Sequence, residues 1–299
     1  MTYPEQSPSA PAGPTGPDTS PMPDGPLIGP VQAPRLHVMT FNLRVDLSQE
    51  TRPGDPDHWP DRQPIVTDLL AHERPTLLGV QEATFGQLGA LAEGLPNHRM
   101  LGYGRQGGSR DEHTPIWYDP TRIEVLTWDQ LWLSDTPRVI GSTSWGNETT
   151  RIVVTARLRD RATGNEFCMI NTHLDHASES ARVQGAAVLL ELINAGRADG
   201  LPVLLTGDFN TRAHHGEAYT VLVTDGPMID TWDTAEQQLT PEWNTCPDYA
   251  EPVVGGARID WVLTTGTLRT HKAAINNHRS TAGGHPSDHL PVQAVIELG

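Results

Sequence analysis

The chain has 299 residues and a formal charge of −16, and Lys272 is the single lysine among its 21 basic residues. So acidic a chain lacks the basic stripe that tracking a long nucleic acid requires, and it favours divalent cations instead. No apolar run approaches the roughly 18 residues of a membrane span, and the two isolated cysteines, Cys168 and Cys246, give neither a disulfide framework nor zinc-ligand spacing.

The first 34 residues hold ten prolines and no Lys or Arg. Such a segment cannot bury enough surface to offset its ordering entropy, so residues 1–34 are expected to form a disordered tail. It has neither the basic start nor the apolar stretch of a secretory signal, which implies a cytoplasmic address. A Pro-rich tract can also serve as a ligand for a partner domain, but no protein partner is evident. Residues 35–299 then read as one domain, with no second linker to divide it.

In chain order, Leu36–Leu43 reads as a strand, Trp59–His72 as a helix and Thr76–Gln81 as a strand. Phe85–Leu95 follows as a short helix and Asn97–Gly102 as a strand, with a Gly-rich loop after it. Pro115–Tyr118 and Ile123–Leu133 read as a hairpin across Asp119-Pro120-Thr121. Arg151–Leu158 and Glu166–Thr172 read as a second hairpin, whose Gly164 suits the turn. Ala177–Ala198 is the clearest helix, with Ser178 placed to cap it. Strands at Val203–Thr206, Ile259–Leu263, Ala273–Asn276 and Pro291–Leu298, and a short helix at Gly216–Val223, complete a mixed α/β pattern.

Six segments place acidic, amide or imidazole groups where an apolar run ends: Phe41-Asn42, Gln81-Glu82, Asn171 to Asp175, Gly207 to Asn210, Arg258 to Trp261 and Ser287 to His289. Strand ends are where α/β proteins build ligand sites. Glu82 is a hard oxygen ligand suited to Mg²⁺ or Mn²⁺. Asp208 and Asn210 stand two apart, so an extended strand end would aim both to one side, one to orient water and the other to donate to phosphate. Asp288 and His289 are adjacent, and the Gly283-Gly284-His285-Pro286 stretch supplies the turn needed to aim both into a cleft. These are the parts that phosphoester hydrolysis needs.

The motifs FNLR, VQEAT, NTHLDH, TGDFNT, RIDWVL and SDHLPV, in that order from Leu36 to Val295, resemble the endonuclease/exonuclease/phosphatase superfamily, and bacterial members near its deadenylase-like branch. The resemblance implies a four-layer α/β sandwich of the DNase I-like type: two mixed, mainly antiparallel sheets packed together with helices outside. It also implies a metal-dependent phosphoesterase. Within it Asn42 matches the residue ordering the phosphate and metal shell, and Glu82 the principal metal ligand. His173 matches a donor to the scissile phosphate, Asp208 the water-orienting carboxylate and Asn210 its phosphate-binding partner. Asp260 and Asp288 fall on the last two acidic positions, with Asp288 also a candidate metal ligand. His289 matches the histidine that contacts the phosphoryl group. Arg44 stands where some nucleases of the superfamily carry a carboxylate, which favours one metal, or a second held by Asp208 and Asp288. The Pro-rich segment from Trp243 to Gly256 departs from the pattern.

Arg44 and Arg151 are candidate substrate-binding residues, although a structural ion pair is an equal reading for Arg151. Asp175 can anchor an imidazole, or His176 can cap the following helix. His214-His215 reads as a surface helix start rather than a metal pair. A small phosphoester is favoured over nucleic acid as substrate. The alternatives are a nuclease or 3′ RNA exonuclease, with Trp145 and Trp243 as stacking aromatics, and a non-catalytic binding module on the same scaffold.

Overall fold

A computed structural model describes residues 25–266 and 268–299. Its strands are β1 (Arg35–Asn42), β2 (Leu77–Gln81), β3 (Arg99–Leu101), β4 (Ile116–Tyr118), β5 (Ile123–Trp132), β6 (Ile152–Asp160), β7 (Glu166–His173), β8 (Val203–Asp208), β9 (Met228–Asp230), β10 (Gln237–Gln238), β11 (Asp260–Thr265), β12 (Leu268–Ile275) and β13 (Val292–Leu298). The helices are α1 (Trp59–Glu73), α2 (Leu88–Gly94), α3 (Glu179–Ala198), α4 (Glu217–Tyr219), which runs on as a π-type segment over Thr220–Thr224, and α5 (Thr231–Thr234). Seven strands form one sheet in the order β10-β12-β13-β1-β2-β4-β3, and six form the other in the order β5-β6-β7-β8-β11-β9. Most neighbours are antiparallel; β1 with β2, β7 with β8 and β10 with β12 are parallel.

The layers follow from the two-residue period of the strands. In β1, Leu36 and Val38 face the other sheet, where they meet Met169, Leu204 and Val262. Met39 and Phe41 face outward onto Trp59, Val66 and Leu69 of α1 and Leu91 of α2. In β8, Leu204 faces the inter-sheet core, while Val203 and Leu205 face Ala186, Leu189 and Ile193 of α3. Two sheets packed together and flanked by helices make the four-layer α/β sandwich that the motifs imply. α3 begins as expected, with Ser178 Oγ accepting from Ala181 N at 3.1 Å, and α1 starts with Pro60 in its first turn, where a missing N–H costs nothing.

Towards one end the gap between the sheets turns polar. Gln81 Nε2 donates to Thr40 Oγ1 (3.1 Å) and to Asn171 Oδ1 (2.9 Å), and Thr206 Oγ1 donates to the same oxygen (2.9 Å). Asn171 Nδ2 in turn donates to the carbonyls of Val80 and Pro115 in the opposite sheet. Gly79 sits against this ladder: a Cβ there would lie 2.3 Å from both Asn171 Oδ1 and Thr206 Oγ1.

Two expectations need correction. β4 and β5 do not form a hairpin. β4 pairs with β2 and β3, and β5 pairs with β6 in the other sheet, so Asp119-Pro120-Thr121 carries the chain between sheets. The turn is real, with Thr121 N donating to Asp119 Oδ1, but each strand finds a better partner elsewhere. Secondly, the tail does not extend to residue 34. Leu27, Ile28 and Gly29 donate their backbone N–H groups to the buried Glu73 carboxylate at 2.6, 3.2 and 3.0 Å, which ties this stretch to the end of α1. Residues 1–24 of the expected tail lie outside the described residues. No helix among the described residues is long and apolar enough to cross a membrane.

Candidate active site

The parity that sends Leu36, Met169, Leu204 and Val262 into the gap also sends Asn42, His173, Asp208 and Asp260 there, at the end beyond the polar ladder. Strand register then sets them side by side. Asp208 on β8 lies opposite Asp260 on β11 and beside His173 on β7. Asn42 comes from the facing sheet, and its Nδ2 is 2.9 Å from both Asp208 Oδ2 and Glu82 Oε1. Its own Oδ1 accepts from Arg44 N, and Glu82 Oε2 accepts from Val45 N.

Three of these positions hold left-handed backbone without being glycine: Arg44 (φ 58°), Glu82 (φ 62°) and Asn210 (φ 48°). Such conformations persist where surrounding structure enforces them, and they cluster at functional sites. At Asn210 the enforcement is visible. Its N–H donates to Asp208 Oδ1, and its Nδ2 reaches His173 Nε2 at 2.9 Å and the carbonyl of Leu174 at 3.1 Å. Asp208 and Asn210 therefore meet through a turn and not through an extended strand end.

The loop before β13 delivers Asp288 and His289. Ser287 Oγ donates to the carbonyl of Asn42 and accepts from His289 N. His289 Nδ1 lies 2.9 Å from Asp260 Oδ2, and its Nε2 lies 3.8 Å from Asp208 Oδ2. Behind both loops sits Arg62, which sequence reasoning missed. Its guanidinium is buried and donates to the carbonyls of Leu43, Arg44, Val45 and Pro286. The available signal was an arginine among the apolar residues of the buried face of α1, which also carries Glu73.

Electrostatics separate the groups. Burial pushes Asp208 up, and the neighbouring Asp260 adds to this, to about 7. Burial holds His173 well below the usual imidazole range, with Arg151 adding to the effect, so it is neutral. Burial opposes charge on His289 too, but Asp260 and Asp208 outweigh it and raise it well above that range. Glu82 is lowered: burial works against it, and the Asn42 hydrogen bond, His289 and Val45 N–H prevail. Asp288 is raised, chiefly by burial.

These groups line a cleft of about 380 Å³. Arg44 and Arg151 lie in its wall, and so do Arg105, Glu112 and Cys246. Arg44 is bound to Asp57 at 2.8 Å and Arg105 to Glu112 at 2.8 Å. Arg151 lies 3.4 Å from Asp175 and donates to His176 Nδ1 at 2.9 Å. Asp175 thus anchors a guanidinium instead of an imidazole, and it also accepts from Ala177 N and Ser178 N. Of the remaining candidates, Trp243 is buried in the core, and Trp145 is half-buried with its indole N–H on Asp135; neither lines the cleft. His214 lies away from the cleft, against Arg258 and Asp233.

The donor set suits a hard divalent cation. Glu82, His173 and Asp208 each present a ligand atom within 4.8 Å of the others, as do Asp208, Asp260 and His289. Asp260 Oδ1 is buried with no hydrogen-bond partner among the described residues. Crowded, desolvated carboxylate oxygens are what a cation would neutralise.

The sequence model of the Endonuclease/Exonuclease/phosphatase family matches residues 39–289. The chain belongs to this family. Its members are metal-dependent phosphoester hydrolases. Among solved structures, a family member from Bacteroides vulgatus is 29% identical, with a TM-score of 0.80 over 89% of this chain and 99% of that one. The mannosyl-6-phosphatase of Bacteroides thetaiotaomicron is 28% identical, with a TM-score of 0.79 over 87% and 99%. The human Nocturnin catalytic domain shares the fold at 16% identity, with a TM-score of 0.66 over 89% and 94%. Nocturnin from Drosophila melanogaster is 21% identical over 214 residues, which is 66% of this chain and 32% of that protein. The chain thus spans about a third of the length of that relative.

Proposed function

We propose that this family member hydrolyses a small, polar phosphomonoester, such as a sugar phosphate, by in-line attack of water on phosphorus. The observation that carries this reading is the state of the cleft's arginines. Arg44, Arg105 and Arg151 are each already bound to a carboxylate, so the wall gives a long polyanion no free basic track. The overall charge of −16 points the same way. The likeness to a mannosyl-6-phosphatase supports it further, at 28% identity over nearly the whole of both chains.

Asp208 is the group assigned to orient water and take its proton. A carboxylate pushed up to about 7 is matched to that task near neutral pH. His289, kept cationic by Asp260, donates to a phosphoryl oxygen as charge develops there. Asn210 and the neutral His173, whose Nδ2 and Nε2 meet at 2.9 Å, are assigned to bind a phosphoryl oxygen. Glu82, Asn42 and Asp288 would hold Mg²⁺ or Mn²⁺, with Asp208 in reach. When bound, the cation supplies positive charge to the phosphoryl and leaving oxygens. Asn42 keeps Asp208 and Glu82 at fixed separation, and Arg62 fixes the backbone of both loops.

The test is a panel assay with Mg²⁺ or Mn²⁺, covering hexose 6-phosphates, nucleotides, phosphodiester lipids, single-stranded RNA and DNA. The reading expects kcat/KM to be highest on a sugar phosphate and to vary little with salt. A preference for long RNA or DNA with a steep salt slope would replace it with the nuclease reading.

A further inference from the structure

We propose that Cys246, Asp288 and His289 form a second cation site, one that takes a thiophilic divalent ion such as Zn²⁺. Each offers one ligand atom, and the three atoms lie within 4.8 Å of one another. All three residues line the cleft. Thiolate, carboxylate and imidazole form a three-ligand set that leaves a fourth tetrahedral position open. The sulfur makes this set softer than the surroundings of Glu82, where carboxylate, amide and imidazole groups meet.

The ligands are held in place before any ion arrives. Asp260 Oδ2 lies 2.9 Å from His289 Nδ1, which turns Nε2 to the cleft and puts a carboxylate behind the ring. That is how proteins orient histidine ligands. Cys246 is fixed from both flanks. On one side, Thr245 Oγ1 accepts from the N–H groups of Ile259 and Asp260, and its carbonyl accepts from Leu290 N. On the other, Asp248 N donates to the carbonyl of Asp288. The loop carrying the thiol is therefore bonded to the backbone beside each of the other ligands. The chain's cysteine spacing conceals this, because the ligands come from two separate segments.

Binding forms sulfur–metal and nitrogen–metal bonds and releases two protons to solvent, one from the Cys246 thiol and one from His289 Nε2. It also occupies Asp288 and His289, so Zn²⁺ would inhibit hydrolysis. That corollary rests on the function proposed above; the site itself does not.

Co²⁺ titration of the metal-free full-length protein tests the site without substrate, since thiolate-bound Co²⁺ gives a charge-transfer absorption. One equivalent should produce the band, and Zn²⁺ should displace it. The band should vanish in Cys246→Ala and persist in Cys168→Ala. In Mg²⁺-supported hydrolysis, Cys246→Ala should raise the Zn²⁺ concentration for half-inhibition by about tenfold or more, relative to its own uninhibited rate. No band in the folded wild type, or a band that survives Cys246→Ala, would overturn the proposal. A correct band in a protein inactive on every phosphoester would uphold the site and remove the function.

Discussion

Asn42 and Asp208 belong to different sheets, yet Nδ2 of one lies 2.9 Å from Oδ2 of the other. The bond spans the gap between the layers and fixes the carboxylate assigned to activate water. Asp208→Asn and His289→Ala should each lower kcat by about 10²-fold or more, the scale of losing a general base or a transition-state donor. Circular dichroism should be unchanged. His214→Ala, away from the cleft, should keep near wild-type kcat, and an equal loss there would refute the assignment.

Activity should disappear in excess chelator and return with Mg²⁺ or Mn²⁺. Glu82→Gln keeps the shape of Glu82 and one of its two accepted hydrogen bonds but removes its charge. It should raise the cation concentration for half-maximal rate by at least about tenfold. Full turnover after chelation and dialysis would sink the metal requirement.

Stability should fall with acid in a window set partly by His37. Burial pushes its imidazole down to about 4, with the Glu73 charge opposing, against an unfolded value of about 6.5. Between those values the unfolded chain binds more protons than the native one. Stability is therefore full above about pH 6.5 and is lost as pH falls towards 4. His98 and His113, also lowered by burial, act in the same direction. The urea midpoint should thus drop between about pH 7.5 and 5, and the drop should shrink in His37→Gln. An identical drop in the variant would clear His37 of the effect.

Truncation should separate two parts of the Pro-rich arm. A chain starting at Gly25 should keep its melting temperature and specific activity. One starting at Arg35 loses three N–H donors to Glu73, leaving only Asn276 Nδ2 among the described residues. A buried carboxylate stripped of donors costs on the order of 1–3 kcal/mol or more, read as a fall in Tm of several degrees. Equal melting of the two chains would count against this role for Glu73.

Asn42, His173 and Asp208 were readable because each ends an apolar strand, where parity dictates the face it takes; Asp260 instead opens β11, and Asp288 and His289 precede β13. Asn42, Glu82, His173, Asp208, Asn210, Asp260, Asp288 and His289 lie together at one end of the gap between the sheets. Sheet membership was not readable. The Asp119-Pro120-Thr121 turn looks the same whether its flanking strands pair or part. β9 and β10, of three and two residues, are too short to carry a pattern. Arg105, Glu112 and Cys246 sit in loops, where only tertiary contacts decide which side chains face the cleft.

Gly79 and the Thr40–Gln81–Asn171–Thr206 ladder give the sandwich something an apolar interface lacks. Greasy surfaces slide, since one methyl group substitutes for another. Here a shift of one sheet by a single residue would strand several amides and hydroxyls without partners, in a gap with no room at Gly79 to absorb the error. The ladder therefore works as an alignment key. It lets two halves of a catalytic constellation, borne on separate layers, arrive at matching positions each time the chain folds.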